Sequence, residues 1–116
     1  MKTLRFAFIA KNLSGGGAEK VLLETASLLQ QQGHQVLVLT LGNVVEHMLP
    51  ENLKIQHLNV LNGVTKALGR HAWVNQWQAQ HVQQALDVFL ADVVISCNAE
   101  YVSRFVRHAH LYHWVH

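Results

Sequence analysis

Residues 4–20 read Leu4-Arg5-Phe6-Ala7-Phe8-Ile9-Ala10-Lys11-Asn12-Leu13-Ser14-Gly15-Gly16-Gly17-Ala18-Glu19-Lys20, and this stretch decides the fold. Leu4 to Ala10 is a short, mostly apolar run with two aromatic residues, the composition of a strand covered on both faces. From Ala18 to Gln32 the apolar positions Val21, Leu22, Ala26 and Leu29 recur at helical spacing, and Gly33 supplies a C-terminal stop. Between them stand three successive glycines, which are costly wherever backbone must be ordered. At a strand-to-helix turn they have a chemical use. Without Cβ atoms the backbone N–H groups can approach a ligand closely, and the positive end of the helix dipole favours an anion, typically a phosphate. A tight turn with no ligand is the competing reading.

Outward from this unit the alternation continues. Gln35 to Leu41 is rich in aliphatic and β-branched residues and reads as a second strand. The segment from Gly42 to Asn52 contains Pro50 and reads as a loop with a helical turn over 45–48. A third strand is expected over 53–60. Helical spacing resumes at Val64, breaks near Gly69, and is clearest from Ala72 to Leu90. A fourth strand over 93–97, a short helix over 101–107 and a fifth strand over 111–115 complete the chain.

This order predicts an α/β fold, a Rossmann-like three-layer sandwich with a parallel sheet of about five strands in the order 3-2-1-4-5. Such sheets gather ligands beyond the carboxyl ends of their strands, near the switch between strands one and four. The positions selected are Asn12 to Gly17, Leu41 to Asn43, Asn98 to Tyr101, and His116.

Composition excludes several function classes. A chain of 116 residues that is half hydrophobic can bury one sizeable core, so a single domain is expected. The formal net charge of +2 comes without any run of Lys or Arg, which argues against nucleic acid. Cys97 has no partner for an internal disulfide and suits a reducing compartment, although its role as a small buried hydrophobe suffices. No apolar run approaches the roughly 20 residues that span a bilayer, and Phe6 to Ala10 is too short for a secretory signal. A cytoplasmic protein is expected.

The glycine turn is neither of the two common nucleotide motifs. Gly15, Gly16 and Gly17 do not give G-x-G-x-x-G, and Thr40 and Leu41 stand where a dinucleotide fold carries its ribose-binding acid. The spacing of a P-loop is missing as well.

The run from Phe6 through Leu41, with Ser14-Gly15-Gly16-Gly17-Ala18-Glu19-Lys20-Val21-Leu22, Gln32-Gly33-His34-Gln35-Val36 and Val38-Leu39-Thr40, resembles the start of a family-4 glycosyltransferase of the GT-B fold. Asp92 to Asn98 and the ending Tyr112-His113-Trp114-Val115-His116 are similar to that family's fourth and fifth strands, while residues 42–90 show no family motif. The resemblance implies a retaining transferase that moves a sugar from a nucleotide-sugar donor to an acceptor, in a cleft between two Rossmann-like domains. Residues 1–116 would be the N-terminal, acceptor-side domain. Gly15, Gly16 and Gly17 would then meet the donor diphosphate. His116 matches a histidine that borders the reacting centre and would act by hydrogen bonding near the transferring sugar. No cofactor is implied, since the nucleotide-sugar is a substrate.

The family continues into a second domain that holds most of the donor. On this reading the chain is an excised or truncated domain with little activity alone, or half of a split enzyme. The expected acceptor is a glycan or glycolipid of the cell surface. The rival readings are a non-catalytic nucleotide- or phosphate-binding module and a partner subunit for a separate donor domain.

Other residues carry weaker expectations. Asn12, Asn98 and Glu100 would line the acceptor cleft, with Asn98 as a helix cap the simpler account. Glu19 starts the first helix, where a carboxylate is favoured by the dipole alone. The crowd His108, His110, His113 and His116 mixes both strand faces and lacks a nearby carboxylate or cysteine, so no metal is expected. Lys66, Arg70, Trp73 and Trp77 could place basic and aromatic groups at a membrane surface, against the alternative that Trp77 packs in the core.

Overall fold

The computed structural model describes residues 3–13, 17–43, 45, 49, 52–60 and 71–114. Five strands, β1 (Arg5–Ala10), β2 (Gln35–Thr40), β3 (Lys54–His57), β4 (Val93–Cys97) and β5 (Leu111–Trp114), form one all-parallel sheet in the order 3-2-1-4-5. Helices α1 (Gly17–Gln31), α2 (Ala72–Phe89) and α3 (Glu100–Ser103) connect them. The arrangement is Rossmann-like, as the alternation predicts.

Side chains alternate across the sheet, so each face builds its own core. Phe8, Ala10, Val36 and Val38 pack under Leu22, Leu23 and Ala26 of α1. Ala7, Ile9, Leu37, Leu39 and Val94 pack under Ala79, Val82, Ala85 and Leu86 of α2, with Val102 of α3 beside them. Central strands buried on both faces must be apolar throughout. That is why β1 and β2 are legible from composition.

The helix ends follow local rules. Gly33 takes φ +97°, its N–H bonds the Gln30 carbonyl at 3.0 Å, and the His34 N–H bonds the Leu29 carbonyl at 3.1 Å, closing α1 in a Schellman turn. Leu90 closes α2 in the same left-handed region, at φ 60° and ψ 53°.

Beyond shifts of a single residue at other element ends, three readings differ from expectation. The third strand covers 54–57 rather than 53–60, because Asn59 adopts φ 56° and bends the chain, although Leu58 and Val60 still donate to the Thr40 and Leu41 carbonyls. Helix α3 ends at Ser103 rather than running to Arg107. Gln83 of α2 captures the chain there, its Oε1 accepting from the Arg107 N–H at 2.7 Å and its Nε2 donating to the Arg107 carbonyl at 3.2 Å. Val45, expected in a helical turn, instead makes a parallel bridge to Leu13. The helical reading over 64–69 lies outside the described residues.

Candidate functional site

The carboxyl edge of the sheet at the β1/β4 junction is the switch point, because the chain leaves β1 for α1 on one face and leaves β4 for α3 on the other. Beyond β1 the ladder with β2 runs on: Leu41 donates to Ala10 at 3.0 Å and Gly42 to Lys11 at 2.9 Å. Leu13 is fully buried and anchors the loop from below. Asn12 is half-buried, and its side chain lies over the Gly42 backbone so closely that a Cβ on Gly42 would collide with Asn12 Oδ1. Asn12 is therefore seated against the second strand's exit.

Gly17 is the first residue of α1 and is exposed, and a Cβ built on it meets nothing within 4 Å. The backbone at the positive end of α1 thus has open space above it at the switch point. Ser14, Gly15 and Gly16, the rest of the predicted phosphate turn, lie outside the described residues, as does His116. Glu19 sits in the first turn of α1, and its charge acts on Cys97 at the end of β4. Burial first, and the Glu19 charge second, push the Cys97 thiol up to about 12. Cys97 is buried and protonated there, a packing group rather than a nucleophile.

After β4 the chain turns at Asn98, which adopts φ 54° and donates its N–H to the Trp114 carbonyl at 3.3 Å. Asn98 does not cap α3. Ala99 holds that place, accepting from Val102 at 3.1 Å and Ser103 at 2.9 Å, because the left-handed turn at 98 displaces the helix start by one residue. The exposed Asn98 side chain is thereby left at the rim of the junction. Glu100 is the first residue of α3. The structure thus brings Asn12, Gly17 and Asn98 to one edge, on loops leaving adjacent strands.

One group at this edge was not singled out by sequence reading. Thr40 Oγ1 donates to the Gly42 carbonyl at 2.8 Å and lies 2.6 Å from His57 Nδ1. A hydroxyl has one proton to give, so these two contacts assign the His57 proton to Nδ1 and leave Nε2 as an acceptor. His57 ends β3 and is half-buried, two strands from the switch. Chemically it can accept a hydrogen bond from a hydroxyl. No sequence signal marks it, since the expected third strand runs on to Val60 and only the structure ends that strand at His57.

The remaining histidines divide differently from the crowd in the sequence. His108 Nε2 lies 2.7 Å from the Ala91 carbonyl, His108 Nδ1 accepts from the His110 N–H at 3.0 Å, and His113 Nδ1 lies 3.4 Å from Ser103 Oγ. His108 thus ties the segment before β5 to the end of the α2–β4 connection, and His113 faces α3 from β5. Among the described residues no three His, Cys, Asp or Glu side chains come together as a metal site would require.

Trp77 does not pack in the core. It is 42% exposed and Trp73 is 61% exposed, because Val74, Asn75, Gln78 and Val82 occupy the inward face of α2. Gln78 is drawn inward by a bond from its Nε2 to the Val60 carbonyl at 2.9 Å. Among the described residues no helix is long and apolar enough to cross a membrane. Comparison of the chain with models of known protein families finds no match, and comparison with curated proteins finds none either.

Proposed function

We propose that the chain is the acceptor-side domain of a retaining glycosyltransferase that works with a nucleotide-sugar donor and a glycan or glycolipid acceptor. The observation that carries this reading is the open backbone at Gly17, where α1 starts at the switch point of a 3-2-1-4-5 sheet. Its N–H groups and dipole suit the edge of a diphosphate. The resemblance of residues 6–41 to family-4 glycosyltransferases turns a general anion site into a donor-diphosphate edge, with Gly15, Gly16 and Gly17 as its backbone and His116 beside the transferring sugar. Asn12, Asn98 and Glu100 line the acceptor side. A donor-binding domain, on this or another polypeptide, completes the cleft. The exposed Trp73 and Trp77 support peripheral contact with the cytoplasmic face of a membrane that carries the acceptor.

Titration of the chain with a nucleoside diphosphate, followed by amide NMR, tests the anion edge. Resonances of Gly17 to Lys20 should shift with a weak, saturable dependence, and Gly17→Val should abolish the shift while preserving the spectrum elsewhere. Saturating ligand with no movement at these amides would remove the support for the reading. Product formation by the chain together with its donor domain, from a panel of nucleotide-sugars, separates a transferase from a module that binds without transfer.

A further inference from the structure

A cavity of about 650 Å³ opens at the opposite edge of the sheet, where β1, β2 and β3 begin, and its lining runs along β3 to Leu58. Cationic and donor groups reach it from four elements. Arg5 enters from β1, His34 from the turn after α1, Lys54 from β3 and His81 from α2. Leu37, Ala85 and Phe89 supply an apolar floor. Among the described lining residues there is no Asp or Glu, and the nearby Asp92 carboxylate is taken up by the Arg5 backbone N–H at 2.8 Å. Its size falls within the roughly 300–1,000 Å³ of small-molecule sites.

Arg5 and the two histidines are held in place. Arg5 Nη1 donates to the Phe89 carbonyl at 2.9 Å, which seats the guanidinium at the negative end of α2 and leaves its other N–H groups available. His34 Nδ1 accepts from the Leu4 N–H at 3.0 Å, which assigns the ring proton to Nε2 and makes that nitrogen a donor. The His34 ring is fixed edge-on to Phe6 with centroids 5.2 Å apart, and the His81 ring edge-on to Trp77 at 4.9 Å. Lys54 is exposed, with no partner for its ammonium among the described residues. A lysine on an edge strand also discourages pairing with another chain, but that purpose requires neither the arginine nor the oriented histidine.

We infer that this cavity binds a phosphate-bearing small molecule with an apolar portion. Donors at four positions along the lining of one cavity suit the multiple acceptor oxygens of a phosphate, whose rest lies on the apolar floor. A single carboxylate would leave donors unused. The cationic wall is distinct from the carboxyl-edge site: Arg5, His34 and Lys54 stand where β1, β2 and β3 begin, whereas Asn12 and Asn98 follow the ends of β1 and β4.

The test is titration of the chain with inorganic pyrophosphate, with sodium chloride of matched ionic strength as the control, followed by amide NMR. Amides of Arg5, His34, Lys54 and His81 should shift together and saturate. Lys54→Gln should weaken binding roughly tenfold, and Gln84→Glu, which adds a carboxylate to the cavity wall on an exposed face of α2, should abolish it. Both variants leave the core untouched, and their undisturbed spectra outside the cavity confirm folding. Equal shifts with chloride, an unchanged affinity in Lys54→Gln, or shifts confined to Gly17 to Lys20 would overturn the inference. The last of these would leave the carboxyl-edge reading standing, so the two fail separately.

Discussion

Replacing Gly42 by alanine probes the seat of Asn12. Gly42 is not among the positive-φ residues, so the backbone itself accepts a side chain, and removing glycine's flexibility from the unfolded chain would by itself stabilise by about 0.4–1 kcal/mol. The new Cβ, however, would overlap Asn12 Oδ1 and stand 3.1 Å from its Cγ and 3.3 Å from its Nδ2. Asn12 has a short side chain, and its Cγ is crowded along with its tip, so the amide must leave its seat or the β1–β2 exit must open. Overpacking of this kind costs about 1–3 kcal/mol, and the net expectation is a loss of about 1–2 kcal/mol. With a urea slope of about 2 kcal/mol/M for a domain of this size, the midpoint should fall by about 0.5–1 M with unchanged slope. The diagnostic is the cycle with Asn12→Ala. If the collision is the cause, the double variant should be no less stable than Asn12→Ala alone, with a coupling of about 1–2 kcal/mol in favour of the pair. A Gly42→Ala protein as stable as the parent, or single effects that simply add, would refute the reasoning.

Two further expectations rest on other parts of the fold. Leu90 holds a left-handed conformation while 67% exposed, so Leu90→Gly should raise stability by about 0.5–1 kcal/mol, read as a higher urea midpoint; no gain would mean that the Leu90 side chain has a stabilising contact. The raised Cys97 pKa predicts slow reaction with a disulfide reagent at pH 8 in the native state and rapid reaction after unfolding. Because the folded pKa lies above the unfolded one, the protonated thiol's contribution is complete below about pH 8.5 and lost as pH rises toward about 12. Cys97→Ala should lack that part of the alkaline loss, and an identical pH profile for the two proteins would contradict the assignment.

The described part of the candidate site was legible only where position in the fold decides it. Asn12, Gly17 and Asn98 follow from the rule that ligands gather at carboxyl ends, which needs strand order alone. The tautomer of His57, the turn at Asn98 that moves the cap to Ala99, and the seat of Asn12 on Gly42 depend on atoms brought together across strands. Residues 16 to 30 apart in the chain leave no local pattern of such contacts. The amino-edge cavity is of the same kind, since Arg5, His34, Lys54 and His81 share no motif.

Read alone, the amino-acid sequence determined the alternation of strands and helices, and with it the parallel sheet. Strands buried on both faces must be continuously apolar, as Phe6 to Ala10 and Val36 to Leu39 are, and right-handed crossovers leave few orders for them. Gly33 marks the end of α1 in the sequence itself, but only the tertiary structure decided where β3 and α3 stop and which face of α2 turns inward. Gln83 ends α3 by taking the Arg107 backbone, and Gln78 reaches the Val60 carbonyl from the inner face while Trp77 stays outside. In both cases a hydrogen bond between distant segments outweighed local preference, at the exposed Arg107 backbone as at the buried Val60 carbonyl, because backbone polar groups take the partners that the fold supplies.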